Sequence, residues 1–551
     1  MSKNTSYLSG RKGLQENLFE RLGREASGVE GISNEQIEAI AEEFLLGNAY
    51  IFGTTSFYDF TRNSNAGKQI YSCNGSACLV AGTQSELEKK LRSRFAADQI
   101  GNICCLGRCY ENHAFQFKNK NYSGSASDRF EEIIQDHIHI IDQYPVHHME
   151  PVVLTRSRYH VTEFEETLMK ALAASPTQLL EEVKRSGLRG RGGAGFPMWI
   201  KLDGCLKEES PQKFLVCNAD EGDPGSFTDK YILEHQAFLL LAGMLIASYI
   251  IGANQAVVYI RAEYPESVEA VLSALKILGD HHLVGDRIAG TEVSIHFTVI
   301  KAQGAYICGE ETALLSSIEG QRPEVRVRPP FPVQEGLFRK PTVVNNVETL
   351  ACLPYIIDQG GAAFGAIGTE KSTGTKLISL DSGFSQPGVA EVPMGTPLSI
   401  VVNQLAGGFS RPTKALHIGG PLGGLLPVSK INDLNLDFES FSSQGLMLGH
   451  ASIISIPEEM PMIHYLEHLF DFTAHESCGK CFPCRIGSTR GKELIQKSIQ
   501  DTSSKIDKGL MLDLLDTMKR GSLCALGGGI PLPVQNAMQY FETELAPYFK
   551  S

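Results

Sequence analysis

Cysteine placement is the feature that most constrains this chain. Cys478, Cys481 and Cys484 follow one another at C-x2-C-x2-C spacing, and Cys524 stands further on in Gly-Ser-Leu-Cys-Ala-Leu-Gly. Three thiolates at successive x2 spacings can wrap one metal centre, and a fourth from a distant loop can close it. Such a set suits a [4Fe–4S] cube. Zinc is the competing metal, because four-cysteine zinc sites also use C-x2-C; the run of three favours the cluster.

A second group lies near the start. Cys73 and Cys78 form C-x4-C, and Cys105 and Cys109 form C-x3-C. Two thiolate pairs supply the two irons of a [2Fe–2S] rhomb. Cys104 offers another register with Cys109, so spacing alone leaves one ligand open, and zinc competes here too. Of the 13 cysteines, the remaining Cys205, Cys217, Cys308 and Cys352 are isolated in sequence. They read as plain buried residues, as does whichever of Cys104 and Cys105 is left over. An odd cysteine count, with no apolar export segment in the first thirty residues, points to reduced thiols in a cytoplasmic setting.

A length of 551 residues is too great for one core and implies several domains. The net charge of −13 argues against a nucleic-acid partner, because phosphate binding needs a basic face. Ala237 to Ala253 carries no charge and sits at the short edge of a membrane span. It reads instead as a helix buried on all sides, leading into a strand-like run over 256–260, so the chain is expected not to span a membrane.

The centre of the chain is rich in glycine. Gly190-Arg191-Gly192-Gly193-Ala-Gly195-Phe196-Pro197 matches G-x-G-x-x-G literally. The dinucleotide fingerprint needs a strand before it, yet Thr177 to Arg185 has helical Leu/Val spacing. What survives is a backbone able to approach a phosphate closely, with Lys201 following; a flexible surface loop is the alternative. A strand-like Lys213–Val216 leads into Asn218-Ala-Asp220-Glu221-Gly-Asp223. Gly304 to Thr312 is a further glycine-rich run, followed by an apparent helix, and Val343 to Thr349 is a polar one. None of these names a ligand alone.

Together these runs closely resemble the flavoprotein subunit of respiratory complex I and its relatives. The segments are GLRGRGGAGFP (187–197), NADEGDPGSFTDKYILE (218–234), GAYICGEETALLSSIEG (304–320), PPFPVQEGLFRKPTVVNNVETL (329–350), ESCGKCFPCRIG (476–487) and SLCALG (522–527). The N-terminal part is similar to the small thioredoxin-like [2Fe–2S] subunit of the same enzymes, through the helical Ser33–Phe44, the aromatic Phe57-Tyr58 and the four cysteines. That resemblance selects Cys105 over Cys104. The chain thus looks like a fusion of the two subunits, as in NAD-linked formate dehydrogenases and NAD-reducing [NiFe] hydrogenases.

The resemblance implies a multidomain α/β architecture. Residues 1–130 are expected to hold a helical segment and a thioredoxin-like [2Fe–2S] domain, and the polar stretch 118–128 reads as a connecting segment. Residues 140–370 are expected to form an α/β domain for FMN and NAD(H), 371–455 a small ubiquitin-like β domain, and 456–551 a helical bundle with the [4Fe–4S] cluster. It implies an NADH dehydrogenase (diaphorase) subunit that passes electrons between NAD(H), FMN and both clusters. The expected partners are a further iron–sulfur subunit and a substrate-converting subunit of formate dehydrogenase or hydrogenase type. The alternative is a non-catalytic electron-relay subunit with a degenerate nicotinamide site.

Carried over by position, Gly190, Arg191, Gly192, Gly193 and Lys201 cradle the FMN phosphate, and Asn345, Asn346 and Thr349 close that end. Asn218, Asp220 and Glu221 line the isoalloxazine and ribityl side, and Tyr306, Gly309 and Glu310 add contacts. NAD(H) stacks on Phe196 and Phe331, Glu311 bonds near the nicotinamide, and Arg328 stands beside the adenosine. Glu221 and Glu311 are the expected catalytic carboxylates. Cys73, Cys78, Cys105 and Cys109 hold one cluster; Cys478, Cys481, Cys484 and Cys524 hold the other.

Beyond Pro197 three positions depart from the family pattern, one being Leu202, where the family has a tryptophan. A usual glycine is Trp199, the only tryptophan, and an aromatic that usually stacks on adenine is Gly204. Trp199 is therefore expected to reshape the dinucleotide pocket and to supply the missing stack. The chain also ends without the extra ferredoxin-like domain of some relatives, an expectation against a stand-alone electron-bifurcating architecture.

Overall fold

The computed structural model describes residues 14, 18–26, 31–136, 138, 143–501 and 503–550. Most of the segment read above for an export signal lies outside these residues, as do 139–142 at the junction of the first two expected domains. The first elements are three helices, α1 (Leu18–Ala26), α2 (Asn34–Glu43) and α3 (Asn48–Thr55). Ser33 starts α2 with a reciprocal capping box to Gln36. Leu22, Ile37, Ile40 and Ile51 pack these helices together.

Strands β1 (Ile70–Cys73), β2 (Ile100–Ile103), β3 (Phe115–Phe117) and β4 (Lys120–Tyr122) form a sheet of order β2-β1-β3-β4. β1 and β2 are parallel, β3 is antiparallel to β1, and β4 is antiparallel to β3. The register pairs Cys73 with Ile103. It therefore brings the end of β1 beside the loop that carries Cys105 and Cys109. The segment 118–128, read as a polar connector, instead contributes β4 and a helical turn to this sheet domain. Its Asn121 is buried because its side chain and backbone bond Glu263 and Glu266.

The next region opens with β5 (Val146–His148), then α4 (Pro176–Ser186) and α5 (Met198–Leu206). A parallel sheet follows, built from β6 (Phe214–Ala219), β7 (Gln255–Ile260), β8 (His296–Lys301) and β9 (Thr342–Asn346) in the order β8-β7-β6-β9. Helices α6 (Thr228–His235), α7 (Ala237–Ile251), α8 (Glu311–Ile318) and α9 (Val347–Ala351) connect or flank it. The helix expected over 177–185 and the strands expected near 213–216 and 256–260 are all present as α4, β6 and β7.

Of the fifteen residues of α7, all but Phe238 and Tyr249 are buried, so its lack of charge is that of a core helix. No single helix among the described residues is long and apolar enough to cross a membrane. Gly243 sets how closely α7 approaches α9: a Cβ there would lie 1.9 Å from the Leu350 carbonyl oxygen. Because that neighbour is backbone, it cannot swing aside. Gly243→Ala is expected to destabilise the protein by about 3 kcal/mol, measured as a lowered denaturation midpoint with unchanged m-value.

A mixed six-stranded sheet contains β10 (Thr375–Leu380), β11 (Gly388–Pro393), β12 (Thr413–Ile418), β13 (Gly424–Pro427) and β14 (Ser452–Pro457), ordered β13-β12-β14-β10-β11-β5. The early β5 joins it as an edge, parallel to β11. The buried pair Lys376–Glu348 and the Leu377 amide on Glu348 Oε1 at 2.9 Å tie β10 to α9. Helices α10 (Met462–Glu476), α11 (Phe482–Gln500), α12 (Lys508–Gly521) and α13 (Pro531–Tyr540) complete the chain. They pack through Leu466, Leu469, Phe470, Ile495, Leu515 and Val534.

Candidate flavin and iron–sulfur site

The sheet order β8-β7-β6-β9 reverses direction at β6, because the chain runs from β6 out to β7 and β8 and returns to β9 on the other side. Open α/β sheets bind ligands beyond the carboxyl ends of strands at such a switch point. Asn218, near the end of β6, faces Asn346, which ends β9, in register. Four sequence runs converge there. Asn218 Nδ2 donates to the Gly309 carbonyl at 2.8 Å. The Arg191 amide donates to Thr349 Oγ1 at 2.8 Å, and a Cβ on Gly192 would stand 3.0 Å from Asn346 Cβ. Asn346 caps α9 by accepting the Thr349 amide.

Among the buried polar atoms here with no hydrogen-bond partner in the described residues are Asp220 Oδ2 and Asn345 Nδ2. Burial pushes the Asp220 carboxyl well above its ordinary range. A buried acceptor and a buried donor left open, beside a cradle that a Cβ on Gly192 would narrow, fit a polar ligand such as FMN.

Individual side chains are disposed less uniformly than the motifs imply. The Arg191 guanidinium is buried and turned to the carbonyls of Thr373 and Arg189, so this residue faces the cradle with its backbone. Glu221 points inward. Its carboxylate accepts Ser226 Oγ at 2.6 Å and the Asp229 and Lys230 amides at 3.0 Å, capping α6. Glu311 lies between Lys201 Nζ at 2.7 Å and Arg328 Nη1 at 3.1 Å. Glu310 pairs with Arg328 and caps α8. Phe196 and Phe331 are half-exposed. Trp199 carries Lys184 Nζ 5.3 Å from its ring centroid, so α4 occupies one face of the indole. A Cβ on Gly204 would stand 3.5 Å from Val333 Cγ2, close beneath the segment that bears Phe331.

Asp223, absent from the motif-derived set of site residues, holds a central position. It accepts Tyr306 Oη–H on Oδ1 at 2.8 Å and faces His450 Nε2 with Oδ2 at 2.9 Å. The sequence signal was there, a third carboxylate in the run after β6, but its partner His450 comes from more than two hundred residues away.

The thiols gather as two sets. The Cys105 and Cys109 sulfurs lie 3.4 Å apart, and Cys73 lies within bonding range of both Cys105 and Cys78. Cys104 instead offers its carbonyl to Arg261 Nη2 at 2.8 Å. In the second set, Cys481 Sγ accepts the Leu523 amide at 3.3 Å, and Ser477 Oγ lies 3.3 Å from Cys484 Sγ. Cys484 sits in the first turn of α11. A Cβ on Gly527 would stand 2.9 Å from Cys484 Sγ, which fixes the Cys524 turn against it. Among the described residues all thirteen cysteines are free, and two all-thiol sets of four fit iron–sulfur clusters.

The segments that carry the two cysteine sets contact the switch-point loops. A Cβ on Gly75, between Cys73 and Cys78, would lie 3.5 Å from Pro224 Cβ. Arg261 spans the Glu221 carbonyl at 2.6 Å and the Cys104 carbonyl. On the other side, the Tyr306 amide donates to Glu476 at 2.8 Å, two residues before Cys478.

This arrangement defines a class: a flavin oxidoreductase module with two iron–sulfur centres. Residues 183–355 match the Nuo51 FMN-binding domain, residues 464–548 the iron–sulfur binding region of NADH-ubiquinone oxidoreductase-F, and residues 15–137 the thioredoxin-like [2Fe–2S] ferredoxins. The chain belongs to this family of NADH dehydrogenase-module subunits. It is 40% identical over 381 residues to the NADP-reducing hydrogenase subunit HndC of Solidesulfovibrio fructosivorans, covering 69% of this chain and 77% of that protein. It is 37% identical over 401 residues to an F-type NADH-quinone oxidoreductase subunit of Rhizobium meliloti, covering 72% and 94%. Its fold superposes on a chain of the NAD+-reducing [NiFe]-hydrogenase in the H2-reduced state with a TM-score of 0.85 and 29% identity, covering 97% and 93%.

Proposed function

We propose that this chain is the NAD(H)-oxidising or NAD+-reducing module of a larger oxidoreductase assembly. One observation carries this reading: the switch-point loops touch the segment that bears one four-thiol set through Pro224 and Arg261, and the helix end just before the other through Tyr306. FMN, when bound, supplies the chemistry that links two-electron hydride transfer to one-electron carriers. The chain's own residues bind and orient. Gly190, Gly192 and Gly193 bring backbone close to the phosphate, Lys201 adds charge, and Asn345, Asn346 and Thr349 close that end. Asp220 offers its open oxygen, and Asn218 holds the Gly309 turn. Glu221 acts by fixing the acidic loop on α6, and Glu311 is steered by Lys201 and Arg328.

The half-exposed rings of Phe196 and Phe331 favour dinucleotide entry over a relay-only role. Lys184 takes one face of Trp199, and Phe196 and Phe331 offer exposed rings to the dinucleotide. Phe331→Ala is expected to raise the Michaelis constant for NADH about tenfold at unchanged FMN content, measured with ferricyanide as acceptor. An unchanged constant would remove Phe331 from the dinucleotide site.

The four-part division at 1–130, 140–370, 371–455 and 456–551 belongs to this proposal. It is supported by separate cores around Ile70, Leu87 and Phe115 and around Ile378, Leu380 and Leu416, with β5 reaching across to the third part. The thirteen free thiols favour the cytoplasm. Phe482 (69% exposed), Ile486 and Leu523 form an apolar rim beside Cys481, Cys484 and Cys524. That rim suits a further iron–sulfur subunit as electron partner, with a hydrogenase- or formate dehydrogenase-type subunit beyond it.

A further inference from the structure

We propose that His450 is a positioning residue for the dinucleotide: as counter-charge to Asp223, it makes the preference for NAD+ over NADH depend on pH. The inference rests on the switch-point crevice being the dinucleotide site. His450 precedes β14, yet its imidazole reaches the acidic loop after β6. Two glycines make this approach possible. Gly449 has φ +58, and a Cβ there would lie 2.4 Å from the Gly419 carbonyl oxygen. Gly420 has φ +87, and a Cβ there would lie 2.6 Å from Asp223 Oδ1 and 2.9 Å from His450 Nε2. No side chain fits between the histidine and the aspartate. Gly449 also forms a backbone bridge with Gly193, so the loop bearing His450 is joined to the phosphate cradle on one side and Asp223 on the other.

The groups around His450 are few. Asp223 and Glu221 face it from the acidic loop and Lys376 from β10. Tyr306, from the turn before α8, occupies the other Asp223 oxygen. The Glu221 carboxylate is already held by donors of α6, and Lys376 is paired with Glu348. The charge of the pair is therefore set by whether His450 carries its proton. Burial works against the imidazolium, but Asp223 at 2.9 Å and Glu221 beyond it hold the imidazole pKa above its ordinary value. The group is thus protonated through the ordinary histidine range and loses its proton as pH rises above it. Protonated, His450 and Asp223 sum to zero; deprotonated, they leave one negative charge. The oxidised nicotinamide ring is a cation and the reduced ring is neutral, so proton loss favours NAD+ selectively.

The test uses the holoprotein with flavin and clusters in the oxidised state. Affinities for NAD+ and for tetrahydro-NADH, a neutral-ring analogue that cannot give up hydride, are measured by calorimetry from about pH 6 to about pH 9. The ratio favouring NAD+ is expected to rise about tenfold with pH in the native chain, as one charge acting through a partly wet site would give. In His450→Gln it is expected to be flat and to stay at the high-pH value. In Asp223→Asn it is expected to be flat and low. Retained flavin and cluster absorbance confirms that each variant is folded, and the native profile stands without any variant. A flat native ratio, or a His450→Gln profile that still rises, overturns the proposal while leaving the dinucleotide site intact. Failure of both ligands to bind overturns the underlying site as well.

Discussion

Cys484→Ala is expected to separate the two halves of the electron path. The [4Fe–4S] signal should disappear from electron paramagnetic resonance of the reduced protein. Transfer to a one-electron partner should fall by more than about a hundredfold, the upper end of what disturbing even a ligand's supporting groups costs. NADH reduction of ferricyanide at the flavin should persist. The expectation follows from the position of Cys484: it lies in the first turn of α11, with Ser477 Oγ at 3.3 Å and Gly527 packed against it. A zinc site would respond differently, since no paramagnetic signal would exist to lose.

Gly192→Val is the second large effect. The first added carbon would already stand 3.0 Å from Asn346 Cβ, and the branch methyls extend into the crevice between the glycine-rich run and the end of β9. Overpacking of this kind costs about 3 kcal/mol, which corresponds to about a hundredfold in flavin affinity. The purified variant should lack FMN absorbance and keep both cluster signals, because neither cysteine set contacts Gly192. Flavin retained at the native level would place the phosphate elsewhere.

How much of this was legible in the sequence differed by element. The cysteine sets stood out by spacing, which left Cys104 and Cys105 open as alternatives; in the structure the Cys105 sulfur lies 3.4 Å from that of Cys109. Helix α4 and strands β6 and β7 followed from periodicity, because each is long and one-sided or wholly apolar. The charge-free α7 also resolved as expected, since its lack of a polar face requires burial on every side. The orientation of charged side chains was not legible. Nothing local says that Glu221 turns inward to cap α6, that Arg191 runs to the Thr373 carbonyl, or that Lys184 settles over Trp199. Those outcomes depend on which backbone groups are left open after packing. His450 was invisible for the same reason: its meaning lies in a contact with Asp223 across 227 positions of chain. The stretch 118–128 misled because polarity was read as a linker, whereas Asn121 finds buried partners in Glu263 and Glu266.

The central claim is that nicotinamide, flavin and both clusters are joined at one switch-point site. It is tested most directly by anaerobic titration of the purified chain with NADH while the visible spectrum is recorded. The account predicts that flavin and cluster bands bleach together at stoichiometric NADH. Bleaching by dithionite but not by NADH would contradict it, because the cofactors would then be present without an entry for hydride.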